Sequence, residues 1–201
     1  MFTGIIQDTG KIVSALHKGD SKKFNVIVQD VFLKDVKIGD SISVNGACMT
    51  VELYSKDSFE FTAIAESLSK TNLKDLQSGS YINLEKSMTM NSKLDGHIVS
   101  GHIDTIGLID RVIENEDSWE FFIKFSSKFT DNVIYKGSIA INGVSLTIAE
   151  IVKEGNKNTT IRISIIPHTF NHTNFKFLRE GDIINIEFDL LGKYVKRILR
   201  K

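Results

Sequence analysis

The chain carries its own sequence twice, and this duplication restricts the fold more than any other property. Ser41 to Val51, SISVNGACMTV, aligns with Ser138 to Ile148, SIAINGVSLTI, at an offset of 97 residues, with five of eleven positions identical. The same offset carries FTGIIQDTGKI, from Phe2, onto VSGHIDTIGLI, from Val99. Further on, the offset becomes 102: Thr71 and Asn72 meet Thr173 and Asn174, and Gly79 to Glu85, GSYINLE, meets Gly181 to Glu187, GDIINIE. Block order is the same in both halves, so one supersecondary unit is built twice. The boundary falls near Gly96 and His97, giving an N-terminal domain over residues 1–97, a C-terminal domain over 98–189, and a tail over 190–201.

Each copy reads as strands. Phe24 to Val28, Ser41 to Val44, Met49 to Leu53, Phe59 to Ala63 and Tyr81 to Leu84 are short runs rich in Val, Ile, Phe and Tyr, broken by Gly, Asp and Asn. Asn45-Gly46 and Asn142-Gly143 each separate two such runs, the signature of a type I′ hairpin, whose central residues need positive φ. Several strands in about 95 residues suggest a six-stranded or similar small closed barrel, which removes exposed sheet edges, with a sandwich as the other arrangement this spacing allows. The expected class is all-β: two tandem homologous small closed β-barrels followed by one helix. In that tail Leu190, Leu191, Tyr194, Val195, Ile198 and Leu199 form an apolar stripe, with Lys193, Lys196, Arg197 and Arg200 on the other face. Such a short amphipathic helix is marginal alone, so its stripe has to be buried, and a chain terminus is a natural meeting place for subunits.

Charge excludes several partners. The 25 basic and 25 acidic residues balance, which leaves no global field for nucleic acid or an anionic membrane. No apolar run approaches the roughly 18 residues of a membrane span, and MFTGIIQDTG lacks the layout of a signal peptide, so the expected location is cytoplasmic. Cys48 is the only cysteine, which excludes an intrachain disulfide and a thiolate cluster. His168 and His172 are spaced i, i+4, but they follow Pro167 in a stretch expected to be extended, and no metal is assigned to them.

The differences between copies point to chemistry. Cys48 in NGACMT becomes Ser145 in NGVSLT, each followed two residues later by Thr50 or Thr147 on the same face of a strand. His102 replaces Ile5 at the offset of 97, and an imidazole able to exchange a proton near neutral pH suits base chemistry. Lys136 stands where the first copy has Gly39, and Asp189 closes the strand NIEFD.

The blocks MFTGII, SVNGACMTV, ESLSKTNL, GHIVSGHIDTIG, YKGSIAINGVSLT, IPHTFNHTN and NIEFDLLGKYV together resemble the motifs of the riboflavin synthase family, the α-type enzymes built from two lumazine-binding repeats. The resemblance spans practically the whole chain. It implies the riboflavin synthase domain-like barrel and a homotrimer joined by C-terminal trimerisation helices over 190–201, in which the N-terminal barrel of one subunit faces the C-terminal barrel of its neighbour. It also implies the substrate 6,7-dimethyl-8-ribityllumazine. Two of these molecules exchange a four-carbon unit to give riboflavin and 5-amino-6-ribitylaminouracil, with no metal and no cofactor. Association with lumazine synthase is a further partnership that the resemblance allows. A non-catalytic antenna that holds one lumazine or flavin is the alternative within the same superfamily.

The same resemblance assigns residues. His102, Ser145 and Thr147 would assist deprotonation of the lumazine C7 methyl, and Lys136 would offset developing charge. Cys48, Ser41 and Asp189 match positions near the second substrate or the nucleophile that starts the exchange. Substrate contacts would come from Met1, Phe2, Thr3, Gly4, Ile5 and Ile6, from Cys48, Met49 and Thr50, and from Thr62, Ala63, Ile64, Ala65, Glu66 and Ser67. In the second copy they would come from Gly101, His102 and Ile103, from Lys136, from Ser145, Leu146 and Thr147, and from Ile166, Pro167, His168, Thr169, Phe170 and Asn171. Ser67 stands where threonine is usual and Asn142 where many members carry aspartate; both keep hydrogen-bonding capacity. The C7 methyl is acidic because the ring delocalises the resulting charge, so positioning two rings is the larger task, worth on the order of 7 to 11 kcal/mol for well-oriented partners.

Overall fold

The computed structural model describes residues 1–199. Arg200, expected on the polar face of the tail, lies outside the described residues. The first repeat supplies β1 (Asp8–Lys18), β2 (Ser21–Ile27), β3 (Ser41–Val44), β4 (Ala47–Thr50), β5 (Leu53–Tyr54), β6 (Ser58–Ala63) and β7 (Tyr81–Lys86). The second supplies β8 (Thr105–Glu114), β9 (Trp119–Ser126), β10 (Ser138–Ile141), β11 (Val144–Glu154), β12 (Asn158–Ile165) and β13 (Ile183–Phe188). The latter six close into a barrel in the order β10-β11-β12-β9-β8-β13. The first set runs β4-β3-β7-β1-β2-β6-β5, the same cyclic order. Its two ends are separated in the chain only by Val51 and Glu52, and the Glu52 amide donates to the Glu60 carbonyl at 2.9 Å. The run expected as one strand from Met49 to Leu53 is therefore broken into β4 and β5, whereas β11 makes the same passage unbroken.

Period-2 alternation decides what each barrel buries. Along β2 and β6, Phe24, Val26, Phe59 and Phe61 point inward, and Phe24 stacks on Phe61 with ring centroids 4.9 Å apart. Lys23, Asn25 and Glu60 alternate with them, and Lys23 pairs with Glu60 at 2.7 Å. Phe121, Ile123, Ile161 and Ile163 do the same in the second barrel. Burying each such side chain is worth about 1.5 to 3 kcal/mol.

The two barrels meet across a buried seam with two-fold pseudosymmetry. Asn45 and Asn142 both adopt φ of 46°, as the I′ turns require, and the turns abut: a Cβ on Gly46 would fall 2.8 Å from the Gly143 nitrogen. Six buried asparagines surround this contact: Asn45, Asn72, Asn83, Asn142, Asn174 and Asn185. Their bonds are reciprocal. Asn83 Nδ2 donates to the Asn142 carbonyl at 3.0 Å and Asn185 Nδ2 to the Asn45 carbonyl at 2.8 Å. The Asn72 amide donates to Asn185 Oδ1 at 2.7 Å, and the Asn174 amide to Asn83 Oδ1 at 2.6 Å. A buried amide left without partners costs about 1 to 3 kcal/mol, so this network fixes one docking of the barrels.

Among the described residues there are three α-helices, α1 (Ala65–Lys70), α2 (Pro167–His172) and α3 (Leu190–Leu199), besides four short 3-10 turns. The segment PHTFNH is helical rather than extended, because Pro167 sits at the first helical turn, where its missing N–H costs nothing. Helix α3 turns its lysines toward the barrel: Lys193 reaches Asp104 at 2.8 Å, and Lys196 reaches Asn132 at 2.9 Å and Asp131 at 3.3 Å. Its stripe of Leu191, Tyr194, Val195, Ile198 and Leu199 faces outward. Among the described residues no helix is long and apolar enough to cross a membrane.

Candidate functional site

The amino end of each repeat leaves its own barrel and docks on the other. Glu85 of β7 accepts from the Thr3 amide and hydroxyl, both at 2.7 Å, and from the Gly4 amide at 3.0 Å. The chain then crosses, and the Gly4 carbonyl accepts from the Ser145 amide of β11 at 2.8 Å. The second repeat mirrors this: Glu187 holds Ser100 and Gly101, and the Gly101 carbonyl accepts from the Cys48 amide of β4 at 2.9 Å. Phe2 and Val99 pair where the crossing segments pass. Close approach explains the glycines: a Cβ on Gly4 would lie 2.6 Å from that of Ser145, and one on Gly101 would lie 2.7 Å from that of Cys48. Both also hold positive φ, 78° and 85°. Ile6 and Ile103 then pack on the core of the opposite barrel.

The crossing segment of the second repeat walls a cleft on the first barrel. This cleft, about 350 Å³, lies between Cys48 and Met49 of β4, Glu66, Ser67 and Lys70 of α1, and Gly101, His102 and Ile103 from the other repeat. Cys48 is half-buried, His102 is exposed, and Glu66 forms an i, i+4 pair with Lys70 at 2.7 Å. Neither Ile64 nor Ile166 can cap its helix with a side-chain hydrogen bond, so the first-turn amides of α1 and α2 have no side-chain acceptor at the cap. Ser41 faces Thr50 across β3 and β4, and Thr62 donates to Glu52 at 3.0 Å. Met49 belongs to the first core and also lines the cleft, and Ala63 is buried in that core.

The second set of residues gathers around Ser145, and here the grouping differs from the expected one. Within one chain His102 joins Cys48, not Ser145. The partner of Ser145 is His97, whose Nδ1 lies 2.7 Å from the Ser145 hydroxyl. With its proton on Nε2, this ring accepts the Ser145 proton. Burial pushes the His97 imidazole below its ordinary range, and the charge of Asp189 partly opposes that shift. Asp189 also accepts from the Leu191 amide at 2.9 Å, so it caps α3 beside this pair. Leu146 packs toward the second core, and Thr147 is exposed opposite Ser138. Along α2, His168 and Asn171 are exposed, while Phe170 stacks on Trp119 with centroids 3.8 Å apart. Lys136 is exposed at φ 63°, and Met1 and Ile5 are exposed at the amino end.

Comparison of copies could not find His97, because an offset of 97 takes it to a position before Met1. Its only signal was its place in GHIVSGHI, beside a residue already singled out.

Two pseudosymmetric barrels, each crossed by the other's amino end and one of them bearing a cleft at that crossing, make this a tandem β-barrel protein. The family model described as Lumazine binding domain matches residues 3–87 and again 100–189. The chain is 41% identical over 201 residues to a riboflavin synthase of Actinobacillus pleuropneumoniae, covering 100% of this chain and 91% of that one. It is 40% identical, with the same coverage, to a riboflavin synthase of Bacillus subtilis strain 168. The chain belongs to the riboflavin synthase family of lumazine-binding proteins. Among solved structures, LumP complexed with riboflavin superposes with a TM-score of 0.86 at 28% identity, covering 94% of this chain and 99% of that one. LumP complexed with 6,7-dimethyl-8-(1'-D-ribityl) lumazine gives 0.83 at 27%.

Proposed function

We propose that the protein is a riboflavin synthase that converts two molecules of 6,7-dimethyl-8-ribityllumazine into riboflavin and 5-amino-6-ribitylaminouracil. The observation that carries this reading is that the two crossings keep one architecture but hold different proton-handling groups. Cys48 and His102 stand in the cleft at one, and Ser145 and His97 meet at 2.7 Å at the other. Two copies of one molecule can then take unlike roles. The reaction balances without an oxidant: the C6 and C7 carbons and their methyls leave one lumazine, which becomes the diaminouracil, and complete the third ring of the other.

His97, neutral because it is buried, draws the Ser145 proton, and this polarised pair accepts the C7 methyl proton. Lys136 offsets the resulting negative charge. Cys48, Ser41 and Thr50 line the cleft of the second substrate, and the first-turn amides of α1 and α2 read the pyrimidine edges. His102 completes the site from the neighbouring subunit, because within one chain it is grouped with Cys48. A trimer joined through the outward stripe of α3 brings an N-terminal cleft of one subunit against a C-terminal cleft of the next, and association with lumazine synthase would shorten substrate transfer.

Purified protein given the ribityllumazine alone is expected to develop the yellow absorbance of riboflavin. The likeness to LumP carrying riboflavin supports a second reading, an antenna that binds without turnover. Tight lumazine binding with no riboflavin formed would establish that reading and end the first.

A further inference from the structure

The i, i+4 pair His168 and His172 lies on a helical turn, the arrangement that makes two imidazoles a ligand set. The rings sit together, with centroids 4.3 Å apart, and both residues are exposed, so an ion reaching them keeps its remaining water. His172 Nδ1 is 2.8 Å from the His168 carbonyl oxygen. A carbonyl only accepts, so Nδ1 carries the proton and Nε2 is left with its lone pair outward. Metal-binding histidines are commonly oriented by such a second bond.

The duplication gives this pair a counterpart in the first repeat. At the offset of 102, His168 and His172 answer Glu66 and Lys70, which line the first cleft and form an ion pair there at 2.7 Å. Where one repeat carries opposite charges, the other carries two neutral donors. Among the described residues no group of three or more His, Cys, Asp or Glu is placed to hold a metal, so the protein supplies two ligands and solvent the rest. Imidazole suits the later divalent first-row ions.

We propose that His168 and His172 bind a divalent transition-metal ion of the zinc, nickel or copper class on the exposed face of α2. The binding itself does not depend on the reaction proposed above. The test is a calorimetric titration of the full chain with Zn²⁺ alone, without lumazine, comparing wild type, Cys48→Ser and the double variant His168→Glu/His172→Lys. The double variant transplants the pair that α1 already accommodates, and circular dichroism checks that it folds. The expected result is one ion per wild-type chain, at least tenfold weaker binding in the double variant, and no change in Cys48→Ser. Saturable binding of equal strength in wild type and double variant, loss only in Cys48→Ser, or no binding by wild type would each overturn the proposal. As a second readout, Ni²⁺ should broaden the imidazole NMR signals of His168 and His172 before those of His17 and His102.

Discussion

Lys136 holds a left-handed backbone conformation, φ 63°, at the position where the first repeat has Gly39 at φ 92°. A non-glycine residue there costs on the order of 1 kcal/mol or more, a cost that is retained where the side chain has a task. Lys136→Gly is therefore expected to raise the urea midpoint, by about 1 kcal/mol of stability, and to lower turnover; unchanged turnover would remove Lys136 from the site. His97 offers a pH test. Its folded pKa lies below the ordinary value near 6.5, so the fold favours the neutral ring. That stability is present above pH 6.5 and is lost as pH falls through the depressed folded value. Melting temperature should drop between pH 7 and pH 5 in wild type and drop less in His97→Gln; parallel curves would show that burial does not perturb His97. The place of Ser145, matching that of Cys48 at the other crossing, was legible from their alignment, but its contact with His97 was not, since neither periodicity nor the repeat register points from position 145 to position 97.

At the scale of elements, the hairpins at Asn45-Gly46 and Asn142-Gly143 could be read directly, because a type I′ turn leaves a local chemical trace. The α3 helix was equally legible from its spacing, yet its orientation was not. Lys193 and Lys196 pair with Asp104, Asp131 and Asn132, contacts set by tertiary placement, and these hold the apolar stripe away from the barrel. Leu191→Asp combined with Ile198→Asp should leave the barrels folded and shift sedimentation from an oligomer to a monomer. A variant that sediments like wild type would show that α3 is not the joint. Helix α2 was hidden by a conflict of local signals: Pro167 favours an extended residue before it and a helix after it, and its counterpart α1 was not read from the sequence either. The crossing of residues 1–6 and 98–103 leaves no local trace at all, since strand alternation is silent about which barrel a segment covers.

Across the whole molecule, the asparagine seam and the exchanged segments should make the barrels unfold together. Trp119, the only tryptophan, lies in the second barrel, so it reports on damage done to the first. Phe61→Ala removes a fully buried ring from the first core, at a cost of about 3 to 5 kcal/mol. The Trp119 fluorescence midpoint in urea is expected to fall with that of the backbone signal. If Trp119 keeps its wild-type midpoint while the first barrel melts, the halves are thermodynamically separate. The tandem architecture was legible from the repeat, whereas its docking was not: the seam asparagines lie from Asn45 to Asn185 in the chain.

Because each repeat's opening segment is seated on the opposite barrel, neither half is finished without the other. A change at Gly4 or Ile6 would be felt first around Ser145, and a change at Gly101 or Ile103 around Cys48. Ancestral twins tied in this way cannot drift apart freely: each new side chain at a crossing in one has to fit the barrel of the other.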